Sequence, residues 1–129
     1  MKPLYFVAVG LGGALGAWSR WLLGLALNPF IQGLPLGTLV ANLAGGYLVG
    51  VAVGVFHLHV PVDPALRLFV ITGFLGGLTT FSSFSAEVME RFLAGQLALS
   101  LSLIGLHLFG ALAMTWLGLW SVGATRIWS

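Results

Sequence analysis

Phe69-Val70-Ile71-Thr72-Gly73-Phe74-Leu75-Gly76-Gly77-Leu78-Thr79-Thr80-Phe81-Ser82-Ser83-Phe84-Ser85-Ala86-Glu87 is an apolar run broken at its centre by a Gly-Gly pair, after which Thr79 to Ser85 carry five hydroxyls in seven residues. An unbroken helix disfavours such a centre. Glycine costs about 1 kcal/mol per helical position, and Ser and Thr compete for backbone hydrogen bonds. Gly76-Gly77-Leu78-Thr79-Thr80 therefore predicts a helix break, with a second half-helix restarting over Ser82 to Glu90. In a bilayer, non-helical backbone is tolerated only where it is buried in protein or lines a cavity. Two readings of the freed carbonyls follow. They ligate a hard cation, as half-helix ends do in transporters, or the glycines allow close packing while the Thr hydroxyls satisfy the backbone.

The surrounding chain places this run in a membrane. Of 129 residues 59% are hydrophobic and 6% charged, with a mean hydropathy of +1.07, whereas a soluble domain carries about a quarter charged residues. The charged side chains are Lys2, Arg20, Arg67, Arg91, Arg126, Asp63, Glu87 and Glu90. Turn signals at Asn28-Pro29, Gly33, Pro35 and Pro61 to Pro64 divide the chain into apolar stretches at about 4–27, 36–58, 65–93 and 97–121. Each meets the roughly 20 residues a span requires. The expectation is an all-α membrane protein, residues 1–129 forming a single transmembrane domain of four helices, the third broken near mid-membrane. The first stretch runs on through Trp18 to Leu27, which favours an uncleaved span over a signal peptide. Trp18, Trp21, Trp116, Trp120 and Trp128 lie mostly toward stretch ends, as interfacial anchors do.

Composition excludes several chemistries. With no cysteine there is no disulfide, thiolate nucleophile or Cys-ligated metal. Five scattered cations make no nucleic-acid footprint. His57-Leu58-His59 offers two imidazoles without an acidic or thiol neighbour, a poor metal site that reads as interfacial. No carboxylate pair, activated nucleophile or nucleotide loop points to an enzyme.

An even number of spans puts both termini on one side, with Lys2, Arg67 and Arg126 there and Arg20 and Arg91 toward the other. Three cations against two is a weak orientation signal. Both insertion directions are then open, and two copies can pair antiparallel about an axis in the membrane plane. Gly12, Gly16, Arg20 and Gly24 recur every four residues, as do Thr38, Asn42, Gly46, Gly50 and Gly54. Each row lies along one helix face, and small residues let helices approach closely in lipid. Packing does not account for Arg20 or Asn42. A cation or amide within a span faces a bundle interior or a cavity; for Arg20 snorkelling to the interface competes with that reading, and for Asn42 an interhelical hydrogen bond competes with a polar path.

Phe81 and Phe84 lie about 60° apart around the restarted helix. Such a pair usually packs, but these rings interleave with Thr80, Ser83 and Glu87, and a positive ring edge attracts a small anion weakly.

Gly76 to Ser85 resembles the signature of the Fluc (CrcB) fluoride channels. Gly12-Gly13-Ala14-Leu15-Gly16-Ala17 with Arg20 resembles that family's first-helix motif, and Gly37-Thr38-Leu39-Val40-Ala41-Asn42-Leu43-Ala44-Gly45 its second. The resemblance implies an antiparallel, dual-topology homodimer in a prokaryotic plasma (inner) membrane, with two fluoride pores and a central structural sodium ion. It assigns the backbone carbonyls of Gly76 and Thr79 to Na+, Phe81 and Phe84 to the pore walls, Asn42 to the pore as an amide donor, Thr80 and Ser83 to a hydroxyl track, and Arg20 to the vestibule. The fourth span departs from the family's hydroxyl-bearing pore helix: it offers Ser100, Ser102, His107 and Thr115, with no motif to set their register. Ser100 and His107, seven apart, share a face, and His107 reads as packed or interfacial.

The expected function is passive, fluoride-selective export that lowers cytoplasmic fluoride. A small proton-coupled exporter of cationic drugs is the alternative, but it needs a deep carboxylate and the first span has none. A non-transporting subunit of a larger membrane complex would explain the glycine rows without requiring the hydroxyl-rich third span.

Overall fold

A computed structural model describes residues 2–58 and 61–126; His59 and Trp128 lie outside the described residues. Four helical stretches are long and apolar enough to cross a membrane: Pro3–Phe30, Leu36–Leu58, Pro64–Leu93 and Leu97–Ser121. Helix α1 (Pro3–Leu27) opens on a proline whose missing N–H is no loss in a first turn. A short 3-10 turn, Asn28–Phe30, closes it. Asn28 Oδ1 then accepts from the backbone N–H of Gly37 (2.8 Å), tying the end of α1 to the start of α2 (Leu36–Leu58).

The third stretch changes geometry along its length. Asp63 caps α3 (Pro64–Arg67), its Oδ1 accepting from Ala65 N–H at 2.9 Å. The wider π-helical turns of Leu68–Leu75 follow, then a single α-turn, α4 (Gly76–Leu78). Thr79 (φ −85°, ψ 155°) and Thr80 (φ −151°, ψ 125°) are extended, and α5 (Phe81–Leu93) begins after them. At its far end Gly95 (φ 78°) reverses the chain: Gln96 N–H donates to Arg91 O (2.8 Å) and Gly95 N–H to Phe92 O (3.0 Å), a Schellman closure that leads into α6 (Leu97–Ser121).

Packing runs mainly through two close pairs. The π-helical and α4 segments lie on α1, and α2 lies on α6, while α5 packs on α6 instead of α1. The extended Thr79-Thr80 link thus carries the third stretch from the α1 side to the α6 side, passing α2. Glycines make these approaches possible. A side chain at Gly16 would collide with the backbone of Phe74 and Leu78, and one at Gly50 with the backbone of Thr115 and Leu119. Apolar packing around Ala41, Ala52, Leu75 and Leu78 fills the centre. Trp18, Trp21, Trp116 and Trp120 are exposed on the outer surface, where lipid would lie.

Candidate functional site

The break is held open by a side chain from α2. Asn42 Oδ1 accepts from the Thr80 backbone N–H (2.8 Å) while Asn42 Nδ2 donates to the Thr80 carbonyl (3.0 Å). In a continuous helix the Thr80 N–H would bond the Gly76 carbonyl four residues back; Asn42 has taken that donor. The Ser83 N–H, the ordinary partner of the Thr79 carbonyl, donates instead to Thr80 Oγ1 (3.1 Å), which caps α5. Both carbonyls named from the sequence, Gly76 and Thr79, have therefore lost their ordinary helical donors. Leu75 O is satisfied by the N–H (3.0 Å) and hydroxyl (2.8 Å) of Thr79, so a Thr hydroxyl on the backbone and freed carbonyls occur together at one break.

Asn42 makes a third bond, Nδ2 to His107 Nδ1 at 2.9 Å. The two Thr80 bonds settle which end of the amide is nitrogen, because the backbone roles are unambiguous. An amide nitrogen only donates. His107 Nδ1 is thus the acceptor and its proton sits on Nε2. That Nε2 is buried and, among the described residues, has no hydrogen-bond partner. The imidazole is 4% exposed and lies against the Phe84 ring, centroids 4.5 Å apart, and Phe84 meets Phe81 edge-on at 5.4 Å and 72°. Phe81 itself is 78% exposed, its ring on the outside of the single chain.

Asn42, Gly76, Thr79, Thr80, Phe81, Phe84 and His107 all line one cleft of about 420 Å³. Of the site residues expected from sequence, Ser83 and Arg20 fall outside it. Ser83 contributes its capped N–H. Arg20 lines a second cleft of about 440 Å³ with Trp21, Asn28 and Thr38, and its Nε donates to Gly77 O at 3.2 Å. Its Nε thus turns toward the helical turn just before the Thr79-Thr80 link.

Thr38 belongs to the second cleft. It stands one turn before Asn42 on α2, lines the Arg20 cleft, and its hydroxyl donates to Glu87 Oε1. Glu87 Oε2 and Arg91 Nε, one turn apart on α5, are buried without a partner among the described residues. Two polar groups stand one turn apart along α2: Thr38 with Glu87, beside the Arg20 cleft, and Asn42 with Thr80 and His107. The Thr38–Glu87 contact and the role of His107 were not legible as pairs in the sequence; the four-residue spacing of Thr38 and Asn42 was the available signal. On α6, Ser100 Oγ donates to Val88 O (3.1 Å), Ser102 to Ala98 O (2.8 Å), and Thr115 to Gly46 O (2.9 Å). Those hydroxyls join helices or cap their own turns, and His107 alone of the four α6 candidates enters the cleft.

Apolar helices, with half-buried polar side chains between them and an interrupted third stretch, define a small multi-pass membrane protein. The chain belongs to the CrcB family: the family described as CrcB-like protein, Camphor Resistance (CrcB), matches residues 7–119. Similar curated proteins bear the name "Fluoride-specific ion channel FluC". That of Dechloromonas aromatica (strain RCB) is 63% identical, covering 100% of this chain and 96% of its own. That of Ralstonia nicotianae (strain ATCC BAA-1114 / GMI1000) is 55% identical over 95% and 97%, and that of Nitrosospira multiformis (strain ATCC 25196 / NCIMB 11849 / C 71) 56% identical over 89% and 90%.

Proposed function

We propose that this protein is a fluoride-selective channel of the bacterial plasma membrane, letting fluoride leave the cell passively. The observation that carries the reading beyond the relatives' names is the set of polar side chains held between apolar helices. Fluoride is small and strongly hydrated, so a narrow path must replace its water with hydrogen-bond donors. Arg91 Nε, buried without a partner among the described residues, and the Asn42 amide and Thr38 hydroxyl, each held by an acceptor of the chain itself, offer donors in an otherwise apolar interior. Buried polar groups are normally satisfied, and the unpartnered Arg91 Nε is explained by a ligand that visits it. The edges of Phe81 and Phe84 add weak attraction without a trap, as conduction requires binding weak enough to release. Arg20 draws the anion into the vestibule.

The remaining assignments complete the reading. Ser83 extends the hydroxyl track beside Thr80. The break lies at membrane depth, and two copies assemble antiparallel, so that the exposed Phe81 ring and the open cleft of each are covered by the other. A sodium ion at their centre suits the donor set: the Gly76 and Thr79 carbonyls are hard oxygen ligands already released from helical donors. When bound, that cation supplies positive charge near the anion path; the chain's own part is to present the carbonyls, which Asn42 and Thr80 do.

Liposomes containing the purified protein should release fluoride, followed with a fluoride electrode, far faster than chloride. Equal rates for both anions, or no release from correctly inserted protein, would overturn the reading.

A further inference from the structure

Both hydrogens of Asn42 Nδ2 are spoken for, one by Thr80 O and one by His107 Nδ1. The Thr80 bond is part of a two-point bracket that shapes the backbone and cannot be given up singly. The His107 bond is different: it joins two side chains, and its acceptor is a neutral nitrogen. If Asn42 is to donate to a passing anion, the hydrogen now on His107 is the one available.

We propose that His107 Nδ1 is a placeholder acceptor, holding the free hydrogen of Asn42 while the path is empty and yielding it to fluoride on passage. The inference rests on the fluoride-channel reading above. Rotation of the Asn42 amide cannot replace the exchange: a flip would set Nδ2 against the Thr80 N–H and Oδ1 against the Thr80 carbonyl, like facing like in both bonds. The imidazole stays in place during the exchange because Phe84 supports its face. Fluoride must break an existing bond to reach the amide, and that cost lowers its affinity at the narrowest donor. His107 is thus a positioning residue that keeps the site from holding the ion too firmly.

The consequence runs opposite to a simple loss of function. Replacing His107 by leucine leaves an Asn42 N–H without a partner in the empty path, a state that buried donors avoid at a cost of about 1 kcal/mol or more. Fluoride then relieves an orphan instead of displacing a partner. Flux measured against fluoride concentration in liposomes should show His107→Leu half-saturating at roughly fivefold lower fluoride, with a lower maximal flux because release is slower. His107→Gln, whose carbonyl can accept the same hydrogen, should return both values toward wild type. A structural role alone predicts lower flux with unchanged or raised half-saturation, and that result overturns the proposal. Should His107→Leu fail to assemble, the wild-type protein still decides: with histidine 15N-labelled in bilayers, the Nδ1 resonance should be that of a bonded, unprotonated nitrogen and should move toward the free value as sodium fluoride replaces sodium chloride. An Nδ1 that carries the proton, or one indifferent to fluoride, overturns the exchange while leaving the channel reading intact; wild-type vesicles that pass no fluoride overturn both.

Discussion

At the scale of single residues, Asn42 does more than its place on a small-residue face suggests. It takes the place of the helical bond of the Thr80 N–H, adds a donor to the Thr80 carbonyl, and leaves the Gly76 carbonyl without its usual donor. Asn42→Ala strands the Thr80 N–H and the His107 nitrogen together; at about 1–3 kcal/mol for each fully buried orphan, discounted because Thr80 is only half-buried, a loss of about 2 kcal/mol in unfolding free energy is expected, together with at least a tenfold loss of fluoride flux. Thermal unfolding in detergent and vesicle efflux measure the two. The aromatic pair should behave differently. Phe81 makes little packing contact within the chain, being largely exposed, so Phe81→Ile should lower flux while the stability of the dissociated single chain changes by no more than about 1 kcal/mol. Phe84→Ile loses its ring contacts to both Phe81 and His107 and should cost about 1–2 kcal/mol as well as flux. Unchanged flux in both variants would assign the pair to packing alone.

Among the elements, the third stretch is the one whose path matters. Its first part rests on α1 through backbone contact at Gly12, Gly16, Gly73 and Gly77, and its second part rests on α6. The break is the crossing between those two supports. Gly16→Ala should push α1 away from Phe74 and Leu78, lowering the unfolding midpoint and misplacing Arg20 relative to Gly77 O, with flux falling alongside. Gly10→Ala, on the same helix with nothing near its added methyl, should be neutral or stabilising by up to about 1 kcal/mol. Equal effects at the two positions would show that close approach of α1 is unimportant. The hydroxyl run marked where the helix is interrupted, but the expected break over Gly76 to Thr80 is narrower: Gly76–Leu78 stay helical because Gly77 serves the close approach to α1, and only Thr79 and Thr80 are extended; the sequence did not say which glycine row meets which helix, because small-residue rows carry no partner label.

For the whole molecule, the proposed antiparallel assembly makes its own demand. With cationic residues nearly balanced along the chain, single cysteines introduced at either terminus should react with impermeant reagent from both sides of the membrane in one population of cells. Labelling from one side only would exclude the dual-topology dimer. The central cation makes a separate demand: purification with sodium replaced by a large organic cation should lower the unfolding temperature of the assembled protein by several degrees, reversibly on adding sodium, since a ligand bound only to the folded state stabilises it by mass action.

Four apolar stretches are a matter of local composition, and the sequence by itself determined them: hydropathy over roughly 20 residues needs no partner to be read. The grouping of Asn42, Thr80, Phe81, Phe84, Gly76 and Thr79 was also legible, through motif resemblance. Only the tertiary structure decided that His107 belongs with them, that Thr38 meets Glu87, and that Arg20 turns to Gly77. The reason is physical. In a soluble helix one face is apolar and its period reports which residues turn inward; helices meant for lipid are apolar on all sides, so the rotation of α6 about its axis leaves almost no trace in the pattern of its residues. Which polar atoms come together is then set by how glycine rows let the helices approach, and that is a property of the folded chain.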